Sequence, residues 1–172
     1  MLLRFYRSPA AQRAFQTAEI PSNWLSATPE AVKVAVSLLV LLAVVLHFPL
    51  LFNGLFPLFG RVVLGLPGTV LVDLSIATTV ILIWGISQRY YWSWWCAVVF
   101  LGLFTTSCAA TFLTIPPHDI VAQLPLAPLE VEALSGIPMR GYHVALFVGV
   151  IPTATLIAVA VSRPSFIGPG NG

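Results

Sequence analysis

Charge is what this chain has least of. Only 8% of its 172 residues are Asp, Glu, Lys or Arg, against roughly 25% in a soluble domain. That deficit excludes an ordinary water-facing surface. The formal net charge of +2 leaves no basic footprint for nucleic acid. Cysteine is scarce as well. Cys96 and Cys108 are the only two, and they fall in the same apolar run. Twelve residues of helix separate them by ~18 Å, well beyond the ~7 Å between Cα atoms that a disulfide tolerates. There is no CxxC pair, so the role expected of both thiols is small apolar filling. The chain also lacks a Walker loop, a dinucleotide-binding glycine pattern, a nucleophile elbow and a zincin motif. No catalytic residue is assigned, and no motif names a cofactor.

What the chain has is apolar length. Hydrophobic residues make up 58% of it, and mean hydropathy is +0.94. Four nearly uncharged runs stand out, at about 34–51, 70–87, 92–113 and 142–161. A bilayer core of ~30 Å needs ~20 apolar residues of helix, and each run approaches that length. The expected fold is an all-α membrane protein: four transmembrane helices in an antiparallel bundle, spanning about 31–52, 69–87, 91–113 and 141–162. Residues 28–163 then form one transmembrane domain, and 164–172, with two prolines and three glycines after Arg163, form a flexible tail.

Residues 1–27 read as an interfacial segment. Ser8-Pro9 is a helix-start signal for a short helix over 9–19, with Phe5, Tyr6 and Phe15 at headgroup level and Pro21 as its stop. No continuous apolar core lies in the first thirty residues, so no cleavable signal peptide is expected and the first span acts as an uncleaved anchor. Thr28-Pro29-Glu30 repeats the start signal before that span.

The basic residues set an orientation. With the N-terminus inside, the inner side carries Arg4, Arg7, Arg13, Lys33, Arg89 and Arg163, and the outer side only Arg61 and Arg140. The positive-inside rule therefore places both termini in the cytoplasm. Arg supplies seven of the eight basic residues, which hints at a GC-rich bacterial genome and so at a bacterial inner membrane. Tyr90, Tyr91, Trp92, Trp94 and Trp95 follow Arg89 and read as the aromatic belt of the inner interface. On the outer side, residues 53–68 are apolar but broken by glycine and proline. They are expected to lie in the interface or against protein. The long outer loop, 114–140, holds five prolines, with a short helix over 128–135.

Small residues mark expected packing faces. Gly141, Ala145, Gly149 and Thr153 recur at four-residue spacing in the last span, and Gly102, Thr106 and Ala110 in the third. Such rows lie on one helix face, where backbones approach closely, either within the chain or against a neighbouring subunit. Pro49 and Pro152 each remove a backbone donor and are expected to bend their helices at the carbonyls of Val45 and Val148.

The candidate chemistry collects on the outer half. Asp73 is the only carboxylate in the second span, ~22 Å from its inner boundary. An intramembrane acid normally has a partner, here Arg61 or Arg140. The alternative is a proton-carrying or cation-binding role. His47 sits ~21 Å beyond Lys33 and shares a face with Ala35 and Ala43, which suggests that it points into the bundle. His143 opens the fourth span at similar depth. Two such histidines are candidate ligands of a haem or another cofactor, and His118 beside Asp119 is a candidate metal pair.

Function is expected to be that of a non-catalytic accessory or assembly subunit, whose partners are the lipid bilayer and other membrane subunits. The competing expectations are a haem- or metal-binding redox module using the outer histidines and a small-solute or proton pathway centred on Asp73.

Overall fold

The computed structural model describes residues 28–124, 126–135 and 140–166. The N-terminal interfacial segment and most of the expected tail lie outside the described residues. Four helices are long and apolar enough to cross a membrane by length and composition, with mean hydropathy between 2.0 and 2.7. That content fits a multi-pass membrane protein.

Helix α1 (Glu30–Val45) begins just after Pro29 and continues, past a break at Leu46 and His47, as the single turn α2 (Phe48–Leu51). Pro49 is what divides them. It sits in the first turn of α2, where a missing N–H costs nothing. Helix α3 (Gly65–Ser87) starts four residues earlier than the sequence predicts. Gly65, Pro67 and Gly68 look like breakers, but first-turn positions have no intrahelical donor to lose. Helix α4 (Tyr91–Thr114) follows through a tight turn with Arg89 in the left-handed region (φ 57°). Two short helices, α5 (Pro117–Ala122) and α6 (Pro128–Ser135), lead to α7 (Gly141–Val161).

One feature corrects the all-α expectation. Between α2 and α3 lies a two-stranded antiparallel hairpin, β1 (Phe56–Leu58) and β2 (Arg61–Val63). Phe59 and Gly60 form its turn with both φ values positive (42° and 85°). That combination matches the right-handed twist of a two-residue hairpin.

The long helices pack in a ring, α1 against α3 and α7, and α4 against α3 and α7, with the α4–α7 contact the most extensive. The buried seams alternate three- and four-residue steps. On α1 they are Val32, Ala35, Leu39 and Leu42, continued by Leu46 just past its end; on α3 Gly68, Val72, Ser75, Thr79, Leu82 and Ile86; on α7 Pro152, Thr155 and Val159. Such a 3.5-residue repeat is the signature of helices inclined at a shallow angle.

The seam on α7 departs from the small-residue row. Thr153 is exposed, and a side chain built on Gly149 would meet nothing within 4 Å. On α4, Thr106 is exposed and Gly102 likewise opens on empty space. Only the ends of the rows touch within this chain. Gly141 lies against the Phe112 carbonyl, Ala145 packs on the Cys108–Phe112 cluster, and Ala110 is half-buried.

The chain past Val161 is less free than its glycine content predicts. Arg163–Phe166 form a 3-10 turn that tucks Phe166 into the main core. Trp94 also leaves the expected belt. It is buried, and its Nε1–H donates to the Val159 carbonyl at 2.7 Å. Tyr90, Tyr91, Trp92 and Trp95 remain exposed.

Candidate functional site

Asp73 stands one position along from the α3 seam residue Val72, so it is turned ~100° away from the seam. It faces outward, with Val70, Leu74, Ala77, Ile81 and Trp84 exposed on the same side of the helix. The expected pairing with Arg61 or Arg140 is not formed. Arg61 is exposed on β2, Arg140 is exposed at the start of α7, and no ion pair among the described residues includes Asp73. Eight residues, ~12 Å of helix, separate Asp73 from Gly65. Helix α3 rises ~33 Å, so a ~30 Å hydrocarbon core centred on it buries Asp73 ~10 Å deep. Its short side chain has no stem with which to snorkel. A lone acid facing lipid costs roughly 2.5–3.5 kcal/mol at mid-span, and no described residue offsets that cost by an ion pair.

His47 and His143 both occupy exposed positions. His47 is exposed, which corrects the expectation that it points inward, and its Nδ1 lies 2.8 Å from the Ala43 carbonyl one turn back. His143 is exposed too. Its Nδ1 accepts from the Arg140 N–H at 3.2 Å, closing the first turn of α7, and its ring lies 4.1 Å from that of Tyr142. No hydrogen bond, ion pair or ring contact among the described residues joins His47 to His143. His118 Nε2 and Asp119 Oδ1 are 3.2 Å apart at an exposed position on α5. No group of three or more His, Cys, Asp or Glu side chains that could hold a metal occurs among the described residues.

What the fold does assemble is a polar seat for the hairpin. The Ser107 hydroxyl donates to the Pro57 carbonyl at 2.8 Å and accepts from the Phe59 N–H at 3.0 Å. One turn on, the Thr111 hydroxyl accepts from the Gly60 N–H at 3.0 Å. These hydroxyls lie at i and i+4 on one face of α4 and are buried. Hairpin backbone at membrane depth is tolerable only when protein satisfies it, and Ser107 and Thr111 do so. Close approach completes the seat. Gly68 passes so near the Gly54 and Val63 carbonyls that any side chain there would collide with them.

Beside the hairpin lies a cavity of about 460 Å³. Its floor is Leu42, Leu46, Cys108 and Phe112, all buried, and Phe147 and Val150 at its edge are exposed. Both prolines foreseen as kinks, Pro49 and Pro152, line it. The space is open on the outward side at Phe147 and Val150. Water is a poor occupant, because a buried water needs two to four polar partners and the lining is almost wholly apolar.

No family model, curated protein or solved structure matches this chain. Of the features the structure assembles, the Ser107–Thr111 pair had a visible signal, two hydroxyls one turn apart in an apolar helix. The small-residue row beside it, Gly102, Thr106 and Ala110, lies on a different face of α4 and opens outward at Gly102.

Proposed function

We propose that this protein is a non-catalytic accessory or assembly subunit of a larger membrane complex. It would cross a bacterial inner membrane four times with both termini cytoplasmic, and dock through the outward face of α3. The observation that carries this reading is the exposure of Asp73 on a span-length helix without an ion-pair partner among the described residues. A neighbouring helix with an Arg, Lys, His or amide side chain at matching depth would satisfy that carboxylate. The unfilled space at Gly102 and Gly149 supports the same reading, since a second chain can approach closely there. The six-to-two bias of basic residues supports the orientation.

The competing readings draw less support. A haem or metal module needs a site lined by histidine, and His47 and His143 are both exposed and neither lines the cavity beside the hairpin. A pathway centred on Asp73 would run outside the helix ring, which again requires a second chain.

Gentle extraction of the tagged protein from its native membrane tests the proposal. The expected result is a stoichiometric companion polypeptide that is lost in Asp73→Leu and partly kept in Asp73→Asn. A wild-type protein that runs alone, with no bound polypeptide, overturns it.

A further inference from the structure

The cavity beside the hairpin has no part in the docking reading, and its chemistry is of another kind. The geometry points to a binding site for one fatty-acyl chain of a membrane lipid, entering sideways between α2 and α7. Three observations converge on that occupant. The lining is almost entirely hydrocarbon and aromatic, so neither water nor a polar solute is held there. The opening is lateral. Phe48, Phe147 and Val150 at the edge are exposed on the outward sides of α2 and α7, while Leu46, Cys108 and Phe112 close the inner end. The material next to such an opening, for helices of this length and composition, is lipid tail. Size then selects among hydrocarbons. An apolar cavity of ~150 Å³ holds one benzene, so about 460 Å³ holds ~18 carbons. That is one acyl chain and much less than a long polyisoprenoid tail.

The local sequence explains why the space stays open. Pro49 ends the continuous run of α1 and turns the chain aside at Leu46 and His47. Pro152, across the cavity, leaves the Val148 carbonyl without its usual donor and loosens α7 at the same level. The hairpin, fastened to α4 through Ser107 and Thr111, roofs the cavity with Leu55 and Pro57. The proposal rests on the membrane placement of the four spans but not on any partner subunit.

The test uses the full chain in bilayers, with palmitic acid carrying a diazirine near its methyl end as the probe. Adducts are mapped by peptide, and outward Val99 on α4 serves as the lipid-facing reference. The expected pattern is labelling of the stretches 104–112 and 147–152, reduced at least tenfold by excess palmitate, with labelling around Val99 little changed. Ile151→Trp, which fills the cavity, should lower the 104–112 adducts about tenfold and spare Val99. So that misfolding of that variant is not mistaken for loss of the site, a second variant, Val148→Phe, places a smaller fill on the same wall. It should lower the 104–112 adducts at least threefold and leave those at Val99 unchanged.

Labelling of Val99 without competed labelling of the cavity overturns the acyl site. So does cavity labelling unchanged in both filled variants, or competition by a polyisoprenol as strong as by palmitate. Cavity labelling that appears only after companion polypeptides are stripped assigns the space to a partner and also overturns it. Absence of labelling at Val99 as well removes the membrane placement on which the proposal stands.

Discussion

The two ends of the helix ring are closed by different means. At the end near Arg89 the chain turns in a few residues and large side chains pack between α4 and α7. Trp94 reaches across from α4 to the Val159 carbonyl of α7, Arg163 lies 5.5 Å over the Trp94 ring, and Phe166 packs beneath. At the other end α1 gives way to α2 near Pro49, α7 carries Pro152 within it, a β-hairpin replaces helix, and two hydroxyls hold its backbone. The first end is packed by side-chain volume between α4 and α7, and its α1–α7 side carries a shallower apolar groove of about 430 Å³ between Val34, Leu38, Ile157 and Val161. The second is secured by hydrogen bonds and retains a cavity of about 460 Å³. Hydrogen bonds fix where a backbone goes, but they do not fill space. An end held that way can keep room for a ligand.

The comparison can be broken first at the packed end. Trp94→Ala removes the largest plug and its hydrogen bond together, and should cost ~3–5 kcal/mol, read as a lower denaturation midpoint in detergent. Ser107→Ala at the hairpin end leaves the Pro57 carbonyl and Phe59 N–H without their partner. A loss of ~1–3 kcal/mol is expected, with faster amide exchange at Phe59. Thr111→Val removes a single bond and should cost ~1 kcal/mol, with faster exchange confined to Gly60. Asp73→Leu, on neither closure, should leave the isolated chain within ~0.5 kcal/mol of wild type. The smallest effect belongs to Lys33→Ala. It breaks the 2.8 Å Lys33–Glu30 pair, in which Glu30 is 85% exposed, and surface pairs of this kind give at most ~0.5 kcal/mol. A hairpin end more sensitive than Trp94 would reverse the contrast.

The spans were legible because apolar length is a one-dimensional property. The predicted limits 91–113 and 141–162 fall within one residue of α4 and α7. The start of α3 was misplaced because Gly65, Pro67 and Gly68 break a helix interior but not a first turn. The hairpin was hidden for two reasons. Pro57 argues against a strand, and its turn is Phe59-Gly60 rather than the familiar Asn-Gly. Its identity emerges only with Ser107 and Thr111, about fifty residues away in sequence. For Asp73, the sequence showed its depth but not its direction. A turn of ~100° between neighbouring positions separates the seam at Val72 from an outward carboxylate, and only the full set of helix contacts decides which residue lies inside.

Asp73 also carries the functional proposal, and crosslinking tests it most directly. A photoreactive residue placed at Ala77, one turn from Asp73 on the same outward face, is compared in native membranes with one at Val99 on the outward face of α4. The proposal predicts a defined polypeptide adduct from position 77, lost when Asp73 is also changed to Leu, and lipid adducts from position 99. Lipid adducts alone from both positions would contradict it.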